Sequence, residues 1–146
     1  MYLLDTNVVS ELRKASKADG NVIAWAGSVP TAGLFLSALT ILEIETGILL
    51  VERRDATQGA ALRSWLETQV LPAFSGRILA VDVAVALCCA RLHLPHRRSE
   101  RDALIAATAL VHSLMVITRN TADFDNTGVA LINPWLTTQD APILRV

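Results

Sequence analysis

Hydrophobic residues along this chain alternate between short runs of strand length and longer runs with helical spacing. The short runs predict strands at 2–4, 33–37, 77–81, 114–118 and 129–133. The longer runs predict helices at 7–14, 20–28, 40–54, 56–74, 83–92 and 102–113, with a loop over 94–101. Strands that alternate with helices predict an α/β fold of three layers, α/β/α, around a central, mostly parallel sheet.

Four acidic residues stand within or beside these apolar runs. Asp5 ends the first strand, Glu43 interrupts an apolar helix, Asp102 opens the last helical run and Asp123 follows the strand after it. Ligands of parallel sheets gather at the carboxyl ends of the strands, so we expect the four acids to meet at one edge. Two carboxylates about 4 Å apart repel by roughly 4 kcal/mol at an effective dielectric near 20. A hard divalent cation would offset that repulsion.

Each acid also has a structural interpretation. Thr40 and Glu43 have the spacing of a helix capping box. Asp102 could be a favourable charge at a helix N-terminus capped by Ser99, and Asp123 could be a turn residue.

Asp5 is the hardest of the four to explain structurally, because at the end of a strand it has no evident purpose beyond capping. If the acids do cluster, relief of their repulsion predicts that Asp5→Asn is more stable than the native chain without metal. A structural α/β domain with chance acids predicts no metal binding.

The composition is that of a folded domain. The chain has 146 residues, of which 52% are hydrophobic and 18% charged, and its length fits one domain over 1–146. The longest apolar runs are interrupted by charges or fall short of the roughly 18 residues of a membrane span. There is no evident signal peptide. We expect a cytoplasmic protein with no membrane association.

Basic residues are grouped although the net charge is only −1. Arg97, Arg98 and Arg101 directly precede Asp102, and Arg119 lies between Thr118 and the next turn. Such runs are usually solvated faces, but beside a metal-binding acid they become candidate contacts for an RNA backbone.

Other site chemistries have little support. Cys88 and Cys89, with His93 and His96 downstream, match no common zinc spacing, and buried structural thiols are the better interpretation. No glycine-rich loop follows a strand and no serine stands in a nucleophile elbow.

Four segments of the chain resemble PIN-domain proteins of the VapC toxin type: Leu3–Glu11, Leu36–Glu43, Asp102–Ala109 and Val116–Phe124. Their order and spacing also match, and the resemblance runs from residue 1 to Trp135. Two further segments, Gly76–Leu79 and Asn133–Trp135, resemble the FitB-like branch in particular.

The resemblance implies a single PIN domain that acts as a divalent-metal ribonuclease on single-stranded RNA. It assigns catalysis and the binding of Mg²⁺, or Mn²⁺ in its place, to Asp5, Glu43, Asp102 and Asp123. It assigns a supporting polar pocket to Thr6, Asn7, Thr118 and Asn120. In the FitB-like branch the fourth acid can stand where this chain has Asn120, so the fourth ligand is either Asp123 or water.

The resemblance also implies partners. They are a cognate antitoxin, which is a small protein with a DNA-binding domain, an RNA substrate, and operator DNA through the antitoxin. The apolar composition separately predicts an exposed hydrophobic surface for a second copy of the chain or for an antitoxin helix. The candidate contact surfaces are the helices 7–14, 21–28 and 40–54. The alternative function is that of a non-catalytic or weakly catalytic subunit of a DNA-binding toxin–antitoxin repressor complex.

Overall fold

The computed structural model of the chain describes residues 1–136, so the final part of the predicted domain, 137–146, lies outside the described residues. The strands are β1 (Tyr2–Leu4), β2 (Leu34–Ser37), β3 (Ile78–Leu79), β4 (Met115–Ile117) and β5 (Leu131–Ile132). The helices are α1 (Thr6–Leu12), α2 (Gly20–Ser28), α3 (Ala38–Arg54), α4 (Ala56–Trp65), α5 (Leu71–Ala73), α6 (Val83–Leu92) and α7 (Glu100–Val111). Short 3-10 turns cover Ala15–Lys17, Thr31–Gly33 and Thr121–Phe124, and a π-helical turn at Leu66–Val70 joins α4 to α5.

The five strands form one sheet in the order β3-β2-β1-β4-β5, and every neighbouring pair is parallel. The predicted α/β/α fold is therefore confirmed. The chain passes from β1 outward to β2 and β3, then crosses back to place β4 and β5 on the other side of β1. Such a reversal leaves a crevice at the carboxyl ends of the two central strands, where open α/β sheets bind their ligands.

Alternation along the strands sends successive side chains to opposite faces of the sheet. Leu4 packs with α1 to α4 on one face, whereas Leu3 packs with α7 on the other. The residues of α7 that face the sheet and α6 are mostly small, and they are completely buried: Ala103, Ile105, Ala106, Ala107 and Ala109. Small side chains let α7 lie close to the sheet, which brings its first turn to the crevice between β1 and β4.

Three helix starts differ from the predicted ones, and one of them is α7, which begins at Glu100 instead of Asp102. Helix α1 begins at Thr6 because Asp5, not Thr6, is its cap and accepts a hydrogen bond from the Thr6 backbone N–H. Helix α3 begins at Ala38, capped by Ser37, whose hydroxyl accepts from the Leu39 N–H at 3.0 Å. Thr40 therefore lies inside the first turn of α3, and the predicted capping box with Glu43 is wrong.

Within residues 1–136, none of the helices combines the length and the apolar character needed to cross a membrane. The cytoplasmic location expected from the sequence stays a prediction.

Candidate metal and catalytic site

The crevice between β1 and β4 is bridged by a hydrogen bond between side chains. Asp5 follows β1 directly and Thr118 follows β4, and the two strands are hydrogen-bonded neighbours. The Thr118 hydroxyl donates to Asp5 Oδ2 at 2.8 Å. Both residues are buried, with Asp5 only 1% exposed. The carboxylate expected at this strand end therefore lies at the switch point of the sheet, which is the crevice between β1 and β4 where the strand order reverses.

The Asp5 carboxylate accepts four hydrogen bonds. On Oδ1 it accepts from the Thr6 backbone N–H at 2.8 Å and from Arg101 Nη2 at 2.6 Å. On Oδ2 it accepts from Thr118 at 2.8 Å and from Asn7 Nδ2 at 3.3 Å. An ionised carboxylate offers about four lone-pair positions. All four are used here, so Asp5 is held in one orientation.

Arg101 joins Asp5 to two further acids. Its Nε donates to Glu43 Oε1 and its Nη1 donates to Asp102 Oδ1 at 2.9 Å. Glu43 lies in the second turn of α3, while Asp102 lies in the first turn of α7, whose cap is Ser99 as predicted. Three of the four predicted acids therefore meet around a single guanidinium.

The electrostatics of this cluster favour a cation. Burial opposes the charge on Arg101, but the field of Asp5 and hydrogen bonds to Glu43 and Asp5 outweigh it, so the pKa of the guanidinium is raised above its ordinary value. Three carboxylates face one guanidinium, and negative charge is left in excess. The guanidinium of Arg101 thus occupies a position in which the three carboxylates bind a cation.

The fourth predicted acid is placed differently. Asp123 is exposed in the 3-10 turn Thr121–Phe124, and in residues 1–136 its carboxylate is not among the acids that Arg101 contacts. Asn120 contributes its backbone N–H, which donates to Thr118 Oγ1 at 3.1 Å. The assignment of the fourth metal-ligand position to Asp123 or to water stays a prediction.

Known proteins are similar to this chain in both sequence and fold. The family model described as "PIN domain" matches residues 2–130. The chain belongs to the PIN-domain family. The resemblance found in the four sequence segments is confirmed.

Two curated relatives match this PIN domain over nearly their whole length. "VapC ribonuclease Y4jK" of Sinorhizobium fredii is 39% identical, with 92% of this chain and 98% of the relative covered. "Toxin FitB" of Neisseria gonorrhoeae is 38% identical, with 92% and 99% covered. The solved structure of FitAB bound to an IR36 DNA fragment has a TM-score of 0.84 and 36% identity, and the match covers 94% of this chain and 97% of that one.

The candidate ligand atoms of this PIN domain are of the chemical type that a hard divalent ion binds. Asp5, Glu43 and Asp102 offer carboxylate oxygens, which Mg²⁺ and Mn²⁺ prefer. Among the described residues these three are not a group with donor atoms all within 4.8 Å of one another, and the Arg101 guanidinium stands between them. Closer approach of the oxygens requires that Arg101 leave.

A different trio does have that spacing, formed by Cys89, His93 and Glu100. Sequence spacing missed this trio because Glu100 lies in α7, whereas Cys89 lies in α6 and His93 directly follows α6. His93 Nδ1 accepts a hydrogen bond from the Arg98 backbone N–H at 3.2 Å, so neutral His93 carries its proton on Nε2, the atom that faces Cys89 and Glu100. Metal-bound histidines normally donate from the second nitrogen instead. Burial raises the pKa of the Cys89 thiol, which agrees with a structural role.

The predicted RNA-contacting arginines have distinct surroundings. Arg98 donates to two backbone carbonyl groups and holds its loop in place. The Arg119 guanidinium lies 5.2 Å from the centre of the Trp135 ring, and Arg97 is exposed. Arg101 is engaged by the acids. The assignment of all four to an RNA backbone stays a prediction, and Arg101 is the residue whose place in the acidic cluster the sequence did not indicate.

A cavity of about 450 Å³ opens at the opposite, amino-terminal edge of β1 and β4. Its lining, which includes Tyr2, Ser113 and Met115, contains no Asp, Glu, His, Cys, Lys or Arg. This cavity therefore offers a metal no carboxylate, imidazole or thiol side chain.

Proposed function

We propose that this PIN domain is an endoribonuclease that uses Mg²⁺ to cleave single-stranded RNA, as the toxin component of a type II toxin–antitoxin system. One observation carries the proposal. Carboxylates from the end of β1, from α3 and from α7 converge around a cation at the switch point of a parallel sheet. The names of the two relatives, a ribonuclease and a toxin, support it.

The residues have separate roles in this proposal. Asp5 and Asp102 ligate the metal directly, and Glu43 and Asp123 complete the shell or ligate through water. Thr118 and Asn7 hold Asp5 Oδ2, so that Oδ1 stays aimed into the pocket. Held by these carboxylates, Mg²⁺ would supply Lewis-acid chemistry, which lowers the pKa of water and offsets negative charge on a phosphate. No protein nucleophile is required.

Single-stranded RNA is the proposed substrate class. Sequence-specific binding of RNA mostly uses single strands, whose bases can be splayed out. Arg97 and Arg119 are exposed and can contact phosphates, and the Arg119 guanidinium lies over the partly buried Trp135 ring.

The proposed partners are an antitoxin with a DNA-binding domain and a second copy of the chain. Helix α3, one of the surfaces predicted from the sequence, exposes Leu42, Leu49 and Leu50 by 51–59%. Helix α6, not among those predicted surfaces, exposes Val83 and Leu87. Exposed apolar patches of this kind are typical of protein contacts.

A second candidate function is that of a weakly catalytic repressor subunit that reaches operator DNA only through the antitoxin. The FitAB structure bound to DNA supports it, and so does Arg101, which occupies carboxylate oxygens that a metal would need.

The test is cleavage of a mixed single-stranded RNA by purified protein, with Mg²⁺ and with EDTA. Asp102→Asn removes a proposed ligand that is not a helix cap, while Glu67→Gln removes an exposed acid elsewhere and is the matched control. We expect Mg²⁺-dependent cutting by the native chain and by Glu67→Gln but not by Asp102→Asn. If the native chain does not cut RNA but its complex with an antitoxin binds operator DNA, the repressor function replaces the proposed one.

A further inference from the structure

Arg101 uses all three nitrogens of its guanidinium on the three clustered acids. Nη2 contacts Asp5, Nε contacts Glu43 and Nη1 contacts Asp102. Charge-assisted hydrogen bonds of this kind are the strong ones, and the planar guanidinium suits several carboxylates at once. The arginine therefore occupies the point on which the acids converge.

The hydrogen bonds of Asp5 show that arginine and metal exclude one another. Three of its four acceptor positions are taken by Thr6, Asn7 and Thr118, which the fold places there through the first turn of α1 and the end of β4. Only the position held by Arg101 Nη2 belongs to a long side chain that can turn away. A metal ion that ligates Asp5 must take this position, and two cations cannot share it.

Arg101 also has a route out of the cluster. Its side chain is 33% exposed, in contrast to the 1% exposure of the Asp5 side chain. It lies in the first turn of α7, directly after the loop that contains Arg97 and Arg98. Rotation of this one side chain toward solvent would open the site without moving a strand or helix.

We propose that Arg101 is a built-in competitor of the divalent ion, which keeps the site closed until the metal displaces it. This inference rests on the proposed function, because it assumes that Asp5, Glu43 and Asp102 form the metal site. Its consequence is a toxin that needs more free metal than its three carboxylates alone would require.

The experiment measures Mn²⁺ binding to the full chain without RNA, by electron paramagnetic resonance of free Mn²⁺ or by calorimetry. Arg101→Gln removes the competitor, and Arg91→Gln, an exposed arginine at the end of α6, removes the same charge elsewhere. We expect Arg101→Gln to bind Mn²⁺ about tenfold more tightly or better, because charge-assisted hydrogen bonds no longer have to be displaced. Arg91→Gln is expected to bind like the native chain.

Arg101→Lys guards against poor folding of the glutamine variant. Its ammonium keeps the charge but is not a planar fork, so we expect an affinity between those of the native chain and Arg101→Gln. Melting temperatures separate competition from a purely structural role. Mn²⁺ should raise the melting temperature of Arg101→Gln more than that of the native chain, whereas a structural role gives destabilisation that metal does not reverse.

Unchanged or weaker Mn²⁺ binding by folded Arg101→Gln or Arg101→Lys would overturn the inference, and so would absence of binding by every variant. RNA cleavage distinguishes this failure from failure of the proposed function. Metal-dependent RNA cleavage with unchanged Mn²⁺ affinities would support the nuclease function and contradict the role of Arg101 as a competitor. Tighter Mn²⁺ binding by Arg101→Gln with no RNA cleavage by any variant would support the competitor and contradict the nuclease function.

Discussion

Replacement of Asp5 by asparagine tests the central carboxylate in the metal-free protein. The two side chains have nearly the same shape, but asparagine has one acceptor oxygen and one NH₂ group. The NH₂ group must face either Thr6 and Arg101 or Thr118 and Asn7, and each pair donates hydrogen bonds to Asp5. At 1% exposure, water cannot rescue the mismatch.

The magnitude follows from two opposed effects. Loss of a charged hydrogen bond such as that from Arg101 costs about 1.5–3 kcal/mol, and a buried donor without an acceptor adds about 1–3 kcal/mol. Relief of repulsion between Asp5 and the other acids acts in the opposite sense, but Arg101 between them already offsets much of it. We expect the free energy of unfolding to fall by about 2 kcal/mol. The sequence alone predicted the opposite sign because it did not indicate the guanidinium.

The assay is urea unfolding in EDTA of the native chain, Asp5→Asn, Arg101→Gln and the double variant. Without Arg101 the carboxylates are uncompensated, so Asp5→Asn should cost less or should stabilise, with a coupling free energy of about 1–3 kcal/mol. Glu67→Gln controls for loss of an exposed acid. An Asp5→Asn variant as stable as the native chain, or more stable, would refute the reasoning.

Three further predictions concern other parts of the chain. Gly59→Ala should destabilise the fold by about 1–2 kcal/mol, because the new Cβ would lie 2.8 Å from a backbone carbon of α3. Gly47→Ala has open space around the new Cβ and should stabilise the fold by about 0.5–1 kcal/mol. Thermal melting that shifts both variants in the same direction would contradict this. The raised pKa of buried Cys89 means that its thiolate forms only at higher pH than usual, so iodoacetamide at pH 8 should label Cys88 first, and equal labelling by mass spectrometry would contradict it. Asp123→Asn should reduce RNA cleavage less than Asp102→Asn does, since Asp123 is exposed and outside the cluster; equal losses would place Asp123 among the direct ligands.

Several features could be predicted because they depend on local pattern. The apolar strand that ends at Asp5 predicts β1, and the apolar run after Asp102 predicts α7. Parallel strands bring their carboxyl ends to one edge of the sheet. The cap of α3 was harder to predict, because Ser37 and Thr40 are both favourable N-cap residues. The helix is capped by Ser37 because β2 ends at that residue.

The role of Arg101 could not be predicted from spacing. It stands beside Asp102 in the sequence, but a long side chain in the first turn of a helix can point to solvent or back over the strand ends. Which of these occurs depends on where Asp5 and Glu43 lie, and they are far from Arg101 along the chain. The trio of Cys89, His93 and Glu100 depends on the fold in the same way.

The most direct test of the metal site is a crystal structure of the native chain soaked in Mn²⁺, with anomalous diffraction to locate the ion. The proposal predicts a peak within direct coordination distance of oxygens of Asp5 and Asp102, near Glu43, with the Arg101 guanidinium turned out of the cluster. A peak at Cys89, His93 and Glu100, or Arg101 still bound to Asp5 at saturating Mn²⁺, would contradict it.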